Sequence, residues 1–201
     1  MPRRRLIPNK ECKPFSTIDF DNKKYFRSTS PLRENTKPVR NNGNPFAMPR
    51  RFNTAGPCLF EDHYMLSPEE RLPQVRALID GKHFFVIHAP RQVGKTTLMR
   101  NLSRTLTAEG KYAALTTSLE SFMEGGPETV MPQLLRKLSW ESEYFLPAEL
   151  QPPAVEKFTG DPLVVFQGYL SAWSAAIDRP LVLFLDEADS VTGPVLLSLL
   201  R

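Results

Sequence analysis

The chain has 201 residues, of which 41% are hydrophobic and 24% are charged, as is ordinary for a globular protein in water. Its longest apolar runs, such as residues 181–185, are far shorter than a bilayer requires, so the sequence predicts no membrane-spanning segment. Cys12 and Cys58 form no C-x-x-C pair and indicate neither a disulfide framework nor a metal cluster, so we expect a reducing, cytoplasmic environment.

The net charge of +4 is unevenly distributed along the chain. Residues 1–56 hold 13 Lys/Arg against 4 Asp/Glu, whereas residues 57–201 hold 13 against 18. Residues 1–49 also contain seven prolines and no sustained apolar periodicity, which predicts a disordered basic tail. Two interpretations of this tail remain open, a solvated arm or a segment that contacts nucleic acid non-specifically through its cations.

Helix and strand patterns alternate along the rest of the chain. A predicted helix ends at Asp80–Gly81 and leads into a strand at 83–88, whose β-branched and aromatic residues predict burial. After a loop at 89–95, the next predicted helix runs from 96 to 109 with a leucine stripe on one face. The remaining predicted elements are a strand at 112–117, a helix at 127–144, a helix capped by Asp161, a strand at 181–185 and a helix from Pro194. This order predicts an α/β fold, a three-layer sandwich around a mainly parallel sheet.

A phosphate-binding pattern lies between the first predicted strand and the helix after it. Residues 89–96, Ala-Pro-Arg-Gln-Val-Gly-Lys-Thr, match the P-loop (Walker A) pattern G-x-x-x-x-G-K-[ST] except that alanine replaces the first glycine. Gly94 lets the backbone approach an anion, Lys95 supplies a positive charge, and Thr96 offers a hydroxyl to Mg²⁺. The alternative is a chance Gly-Lys-Thr at a helix start. The predicted nucleotide-binding residues are Ala89, Pro90, Arg91, Gln92, Val93, Gly94, Lys95, Thr96 and Thr97.

An acidic pair follows the last predicted strand, in the sequence Leu-Val-Leu-Phe-Leu-Asp186-Glu187. An acidic residue at the carboxyl end of a parallel strand lies where such sheets bind ligands, so Asp186 is predicted to hold magnesium together with Thr96. Glu187 is predicted to be catalytic, orienting or deprotonating an attacking water. A solvated acidic turn is the alternative. No Asn-Lys-x-Asp guanine signature occurs, so the expected cofactors are ATP and Mg²⁺.

Five other residues are weaker candidates or lie close to the predicted site. Ser118 and Glu120 follow the second predicted strand on the same edge of the sheet, where solvated turn residues are the alternative interpretation. His63 and Tyr64 precede the first strand and are candidates to approach adenine. His88, directly before the P-loop pattern, is expected to pack in the sheet.

Residues 50–57, 63–66 and 84–97, together with the Asp-Glu pair, resemble the AAA-like, archaeal-type P-loop ATPases of prokaryotes. The resemblance covers about residues 50–201 and implies the N-terminal part of an additional-strand ATPase domain. It implies that Lys95, Thr96, Asp186 and Glu187 serve ATP binding and hydrolysis, which would drive conformational change in an attached domain or partner.

The same resemblance implies a further strand, a lid and often an arginine finger beyond Arg201. We therefore expect 50–201 to be a partial domain, truncated after the Walker B strand, which binds ATP weakly and hydrolyses it poorly by itself. Residues 1–47 are interpreted as an upstream extension. Three possibilities stay open, a hydrolysing module, a non-hydrolysing nucleotide-binding fragment, or a nucleic-acid-associated protein acting through its tail; the first would work with a C-terminal domain or as a homo-oligomer.

Overall fold

A computed structural model describes residues 16–19, 51–52, 62–64, 72–90 and 93–200 of the chain. The chain divides into two compact units, one made of residues 1–49 and 69–93 and the other of residues 50–68 and 94–201. The described elements are β1 (Ser16–Asp19), α1 (Pro73–Asp80), β2 (Phe85–His88), α2 (Lys95–Ala108), β3 (Ala113–Ser118), α3 (Pro127–Phe145), α4 (Pro162–Ala176), β4 (Leu181–Asp186) and α5 (Gly193–Leu200).

The first unit contains a parallel pair of strands and one short helix. β1 pairs with β2 from Ser16 opposite Phe85 to Asp19 opposite His88. The structure thus places a strand at Ser16–Asp19, where the sequence predicted no ordered element. The prediction of disorder for the rest of residues 1–49 lies outside the described residues and stays a prediction.

The strand β2 is less covered than its composition predicted. Phe84 and Val86 are exposed, and His88, expected to pack in the sheet, is exposed as well. Among the described strands β2 pairs with β1, in a sheet of two strands. So small a sheet leaves alternate side chains open to solvent, which corrects the expectation of a buried strand.

The second unit is built on another parallel pair. β3 and β4 pair in register from Ala113 opposite Leu181 to Ser118 opposite Asp186. Helix α2 packs on β3, where the Thr116 hydroxyl donates to the main-chain oxygen of Met99 at 3.1 Å. The described strands therefore form two two-stranded parallel sheets instead of the single sheet expected from the sequence, while the α/β class is the predicted one.

The hydrophobic core of the second unit lies among β3, β4 and the helices α3, α4 and α5. The Trp173 indole is completely buried and donates to the main-chain oxygen of Leu150 at 2.9 Å, so its polar atom is satisfied. Helix α4 begins as predicted, because the Asp161 carboxylate accepts the Leu163 amide at 2.9 Å. Phe166, Tyr169 and Trp173 are the buried residues of this helix, whereas Leu163 is exposed.

Candidate functional site

Helix α2 begins directly after a glycine with a left-handed backbone conformation. Gly94 precedes it with φ of +89°, a left-handed conformation that glycine adopts without a steric penalty. No side chain caps this end, and the first turn holds no acidic residue. The amides at a helix start together with the helix dipole favour an anion, so this end is suited to phosphate.

The side chains of Thr96 and Asp186 meet although they lie 90 residues apart in sequence. The Thr96 hydroxyl donates to Oδ2 of Asp186 at 2.5 Å. Asp186 ends strand β4 with only 4% of its surface exposed, and its Oδ1 accepts the Glu187 amide at 3.1 Å. Its main-chain oxygen also accepts the Leu119 amide at 2.9 Å. The carboxylate is thus held in one orientation beside the start of α2.

This pair of oxygens fits the magnesium ion that the motifs imply. Mg²⁺ prefers hard oxygen ligands. The Thr96 hydroxyl and the Asp186 carboxylate are both such oxygens, and they lie in direct contact. The donor set is therefore chemically suitable for this ion.

Glu187 has an unusual backbone conformation directly after Asp186. It is one of two non-glycine residues with positive φ in the described part of the chain, at φ +54° and ψ +42°. Its main-chain oxygen accepts the Ser190 amide at 2.9 Å, which fixes the tight turn that follows β4. A left-handed conformation costs about 1–2 kcal/mol for such a residue, so the surrounding turn imposes it. The side chain is exposed beside the buried Asp186.

Two of the weaker candidates lie at the end of β3, next to this site. Ser118 is the register partner of Asp186, and its hydroxyl accepts the Glu120 amide at 3.3 Å. The Glu120 side chain is exposed, consistent with a solvated turn residue. Sequence reasoning missed Lys137 of α3, whose Nζ donates to the main-chain oxygen of Ser118 at 2.5 Å. Nothing in the local sequence marked it, because a lysine on an amphipathic helix is ordinary.

The charge near Lys137 includes a half-buried carboxyl group, Glu141. Burial raises the pKa of Glu141 above its usual value, whereas Thr117, Lys137 and Arg100 each lower it. Within the described part of the chain, neither the Thr117 hydroxyl nor Oε2 of Glu141 makes a hydrogen bond of normal geometry. Desolvation therefore outweighs the nearby cations.

Other predicted site residues are placed individually. Lys95 and Thr97 lie half-buried in the first turn of α2, whereas Ala89, Pro90 and Val93 belong to the first unit. Arg91 and Gln92 lie outside the described residues. His63 is buried and forms an isolated parallel bridge with Arg51, while Tyr64 is exposed.

A surface cavity of about 310 Å³ lies between α3 and the segment that leads into α4. None of the predicted site residues is among the residues that line it, which include Arg136, Glu156 and Phe158. Its wall is therefore not the one formed by Thr96 and Asp186.

A comparison with known families identifies the kind of domain that contains the start of α2 and the Thr96–Asp186 pair. The family model of the AAA domain matches residues 78–201, which is more than half of the chain. The chain belongs to the AAA domain family. It is an AAA-like P-loop ATPase domain of the α/β class, and nucleotide binding is the activity associated with this family. No curated protein and no solved structure matches the chain at a significant level. Among the described residues, no helix of this AAA domain is both long and apolar enough to cross a bilayer.

Proposed function

We propose that this AAA domain binds ATP together with Mg²⁺, and that hydrolysis of the ATP drives conformational change in an attached domain or partner. The contact between Thr96 and Asp186 carries the proposal. It joins the Thr96 hydroxyl, at a helix start suited to phosphate, to the buried Asp186 carboxylate at the end of a parallel strand. An anion site beside a cation site matches the negative phosphates and the positive magnesium ion of MgATP.

Each residue has a distinct part in this proposal. The amides that follow Gly94 and the ammonium group of Lys95 bind phosphate oxygens, and the residues from Ala89 to Thr97 form the loop around them. Thr96 and Asp186 hold the magnesium. The bound ion would neutralise charge on the phosphates. Glu187 accepts the proton of an attacking water, for which its exposure beside Asp186 is suitable.

The finer architecture is part of the same proposal. We infer a three-layer α/β sandwich around a mainly parallel sheet that includes the pair β3–β4. The alternation of helices with parallel strands in the second unit supports this, because the helices that connect parallel strands cover the faces of the sheet.

Binding is tested with the 201-residue protein by titrating a fluorescent ATP analogue in the presence of Mg²⁺. Thr96→Ala and Asp186→Asn should each weaken binding by about tenfold or more, because each removes one oxygen ligand or its charge. Matched controls are Thr129→Ala and Asp189→Asn, which make the same chemical changes at exposed positions. A folded wild-type protein that binds no MgATP at millimolar concentration contradicts the proposal.

Hydrolysis is tested separately from binding. Glu187→Gln removes the proton acceptor but keeps the size of the side chain, so it should retain ATP binding and abolish phosphate release. Phosphate release by wild type, measured under conditions of saturating MgATP, distinguishes a hydrolysing domain from a non-hydrolysing nucleotide-binding one. If wild type releases phosphate above background, equal turnover by Glu187→Gln would exclude Glu187 as the base.

A further inference from the structure

A hydrogen-bonded path joins helix α3 to Asp186 through a single peptide group. Lys137 donates from Nζ to the main-chain oxygen of Ser118 at 2.5 Å. The next amide, that of Leu119, donates to the main-chain oxygen of Asp186 at 2.9 Å. Both bonds are made by the peptide group between Ser118 and Leu119. The described peptide bonds are all trans, so the carbonyl and amide of that group point in opposite directions, with Lys137 and Asp186 at its two ends.

The neighbours of Lys137 keep its ammonium group at this position. The ring centroid of the buried Phe122 lies 5.5 Å from Nζ, within the range of a cation–π interaction. Glu141 lies four residues later on α3. Attraction between its carboxylate and the Lys137 ammonium is one of the influences that lower the Glu141 pKa. The lysine side chain is half-buried. A partly desolvated ammonium makes a stronger hydrogen bond to a carbonyl than a fully hydrated one does.

We propose that Lys137 is a positioning residue for the magnesium ligand Asp186. This inference rests on the proposed function, because it assigns Lys137 to the same site. A charged donor on the Ser118 carbonyl polarises the peptide group, and polarisation strengthens the bond from the Leu119 amide to Asp186. The main chain of Asp186 is thereby fixed, and with it the direction from which the carboxylate meets Thr96.

Lys137 differs from a cation that would bind a phosphate directly. The contacts that the structure gives for Lys137 are with the Ser118 carbonyl and the Phe122 ring, and neither involves Thr96 or the Asp186 side chain. Its effect on magnesium is therefore expected through the main chain of Asp186 and not through direct attraction of a phosphate. Replacement of Lys137 should weaken the grip on Mg²⁺ while leaving the Lys95 end of the site intact.

The test compares Lys137→Met with Lys157→Met in the 201-residue protein. Lys157 is exposed in the short turn before α4, so the control makes the same substitution and the same charge change away from Ser118. Binding of a fluorescent ATP analogue is followed while Mg²⁺ is titrated. Lys137→Met should raise the Mg²⁺ concentration for half-saturation about five- to tenfold, which is less than direct loss of a hydrogen bond to a charged group would cause, because Lys137 acts through the main chain of Asp186. Lys157→Met should leave this Mg²⁺ concentration unchanged. Lys137→Arg keeps a charged donor, so its Mg²⁺ dependence should stay close to that of wild type.

A second measurement needs no nucleotide. Hydrogen exchange at the Leu119 amide should be faster in Lys137→Met than in wild type and unchanged in Lys157→Met. The thermal midpoint of each variant is measured alongside, so that general destabilisation is recognised. If Lys137→Met fails to fold, Lys137→Gln is used instead, with the same expected directions.

The possible outcomes separate the inference from the proposed function. If wild type binds MgATP and a folded Lys137→Met or Lys137→Gln protein keeps the wild-type Mg²⁺ dependence, the positioning role is overturned while ATP binding stands. If folded wild type binds no MgATP, the proposed function fails. In that case an unchanged Leu119 exchange rate in the variant also overturns the part assigned to Lys137.

Discussion

Tyr169 is completely buried in α4, with the ring of Phe158 edge-on at 5.1 Å and Trp173 beside it. Its hydroxyl makes no hydrogen bond of normal geometry in the described part of the chain, although Ser139 is near enough to lower its pKa. Burial dominates and raises the pKa of this phenol to about 12. Tyr169→Phe removes the unsatisfied hydroxyl and keeps the ring, so we expect it to stabilise the fold.

The magnitude depends on pH in a way that follows from the raised pKa. A buried hydroxyl without a partner costs about 1–3 kcal/mol, so the free energy of unfolding at pH 7 should rise by about 1 kcal/mol in Tyr169→Phe. Above about pH 10 the phenol ionises in the unfolded chain but stays protonated in the folded one, which favours unfolding. Wild type should therefore lose up to about 2.7 kcal/mol between about pH 10 and 12, at about 1.36 kcal/mol per pKa unit.

Urea unfolding followed by circular dichroism at pH 7 and at several values from pH 9.5 to 11.5 measures both effects. The stability difference between Tyr169→Phe and wild type should widen with pH, since phenylalanine does not titrate. Tyr144→Phe is the control, because Tyr144 is 72% exposed and its substitution should leave the pH dependence intact. A Tyr169→Phe protein that is less stable than wild type at pH 7, with no widening at high pH, would refute the reasoning.

Three further substitutions test particular features of the second unit. Gly94→Ala forces alanine into a left-handed conformation, so it should lower stability by about 1–2 kcal/mol in urea unfolding and weaken ATP binding; equal affinity would contradict the need for glycine. Asp161→Ala should cost about 1 kcal/mol by removing the cap of α4, whereas Asp161→Asn, which can still accept the amide, should cost little. Glu141→Gln should raise the free energy of unfolding at pH 7. The pKa of Glu141 is raised in the folded protein, so wild type is most stable below the usual pKa of the group and loses that contribution as pH rises through the folded-state pKa, whereas glutamine does not titrate. A flat difference between Glu141→Gln and wild type from pH 4 to 7 would argue against this assignment.

Local signals explain why several features could be predicted from the sequence. The cap at Asp161 depends on a carboxylate that accepts the amide two residues ahead, so it is encoded within one turn. The order of helices and strands in the second unit follows from apolar periodicity, and the structure places those elements within a few residues of the predicted ends. Nucleic-acid contact by the basic tail stays a prediction, because it concerns residues outside the described ranges.

Features that depend on distant partners were missed or altered. The strand at Ser16–Asp19 forms on β2, about 70 residues later, and a proline-rich neighbourhood gave no sign of it. Whether Tyr169 or Leu163 is buried depends on which side of α4 faces the core, and apolar residues lie too evenly around this helix for periodicity to decide.

The sequence by itself determined the phosphate-type loop around Gly94 and the acidic end of β4, since both are short patterns whose chemistry resides in adjacent residues. The sequence also predicted that Thr96 and Asp186 act together, and the structure shows them in contact, whereas only the tertiary structure decided that Lys137 reaches the Ser118 carbonyl. The physical reason is that these contacts join helices to strand ends through the packing of a whole core, and packing is a property of many residues acting together.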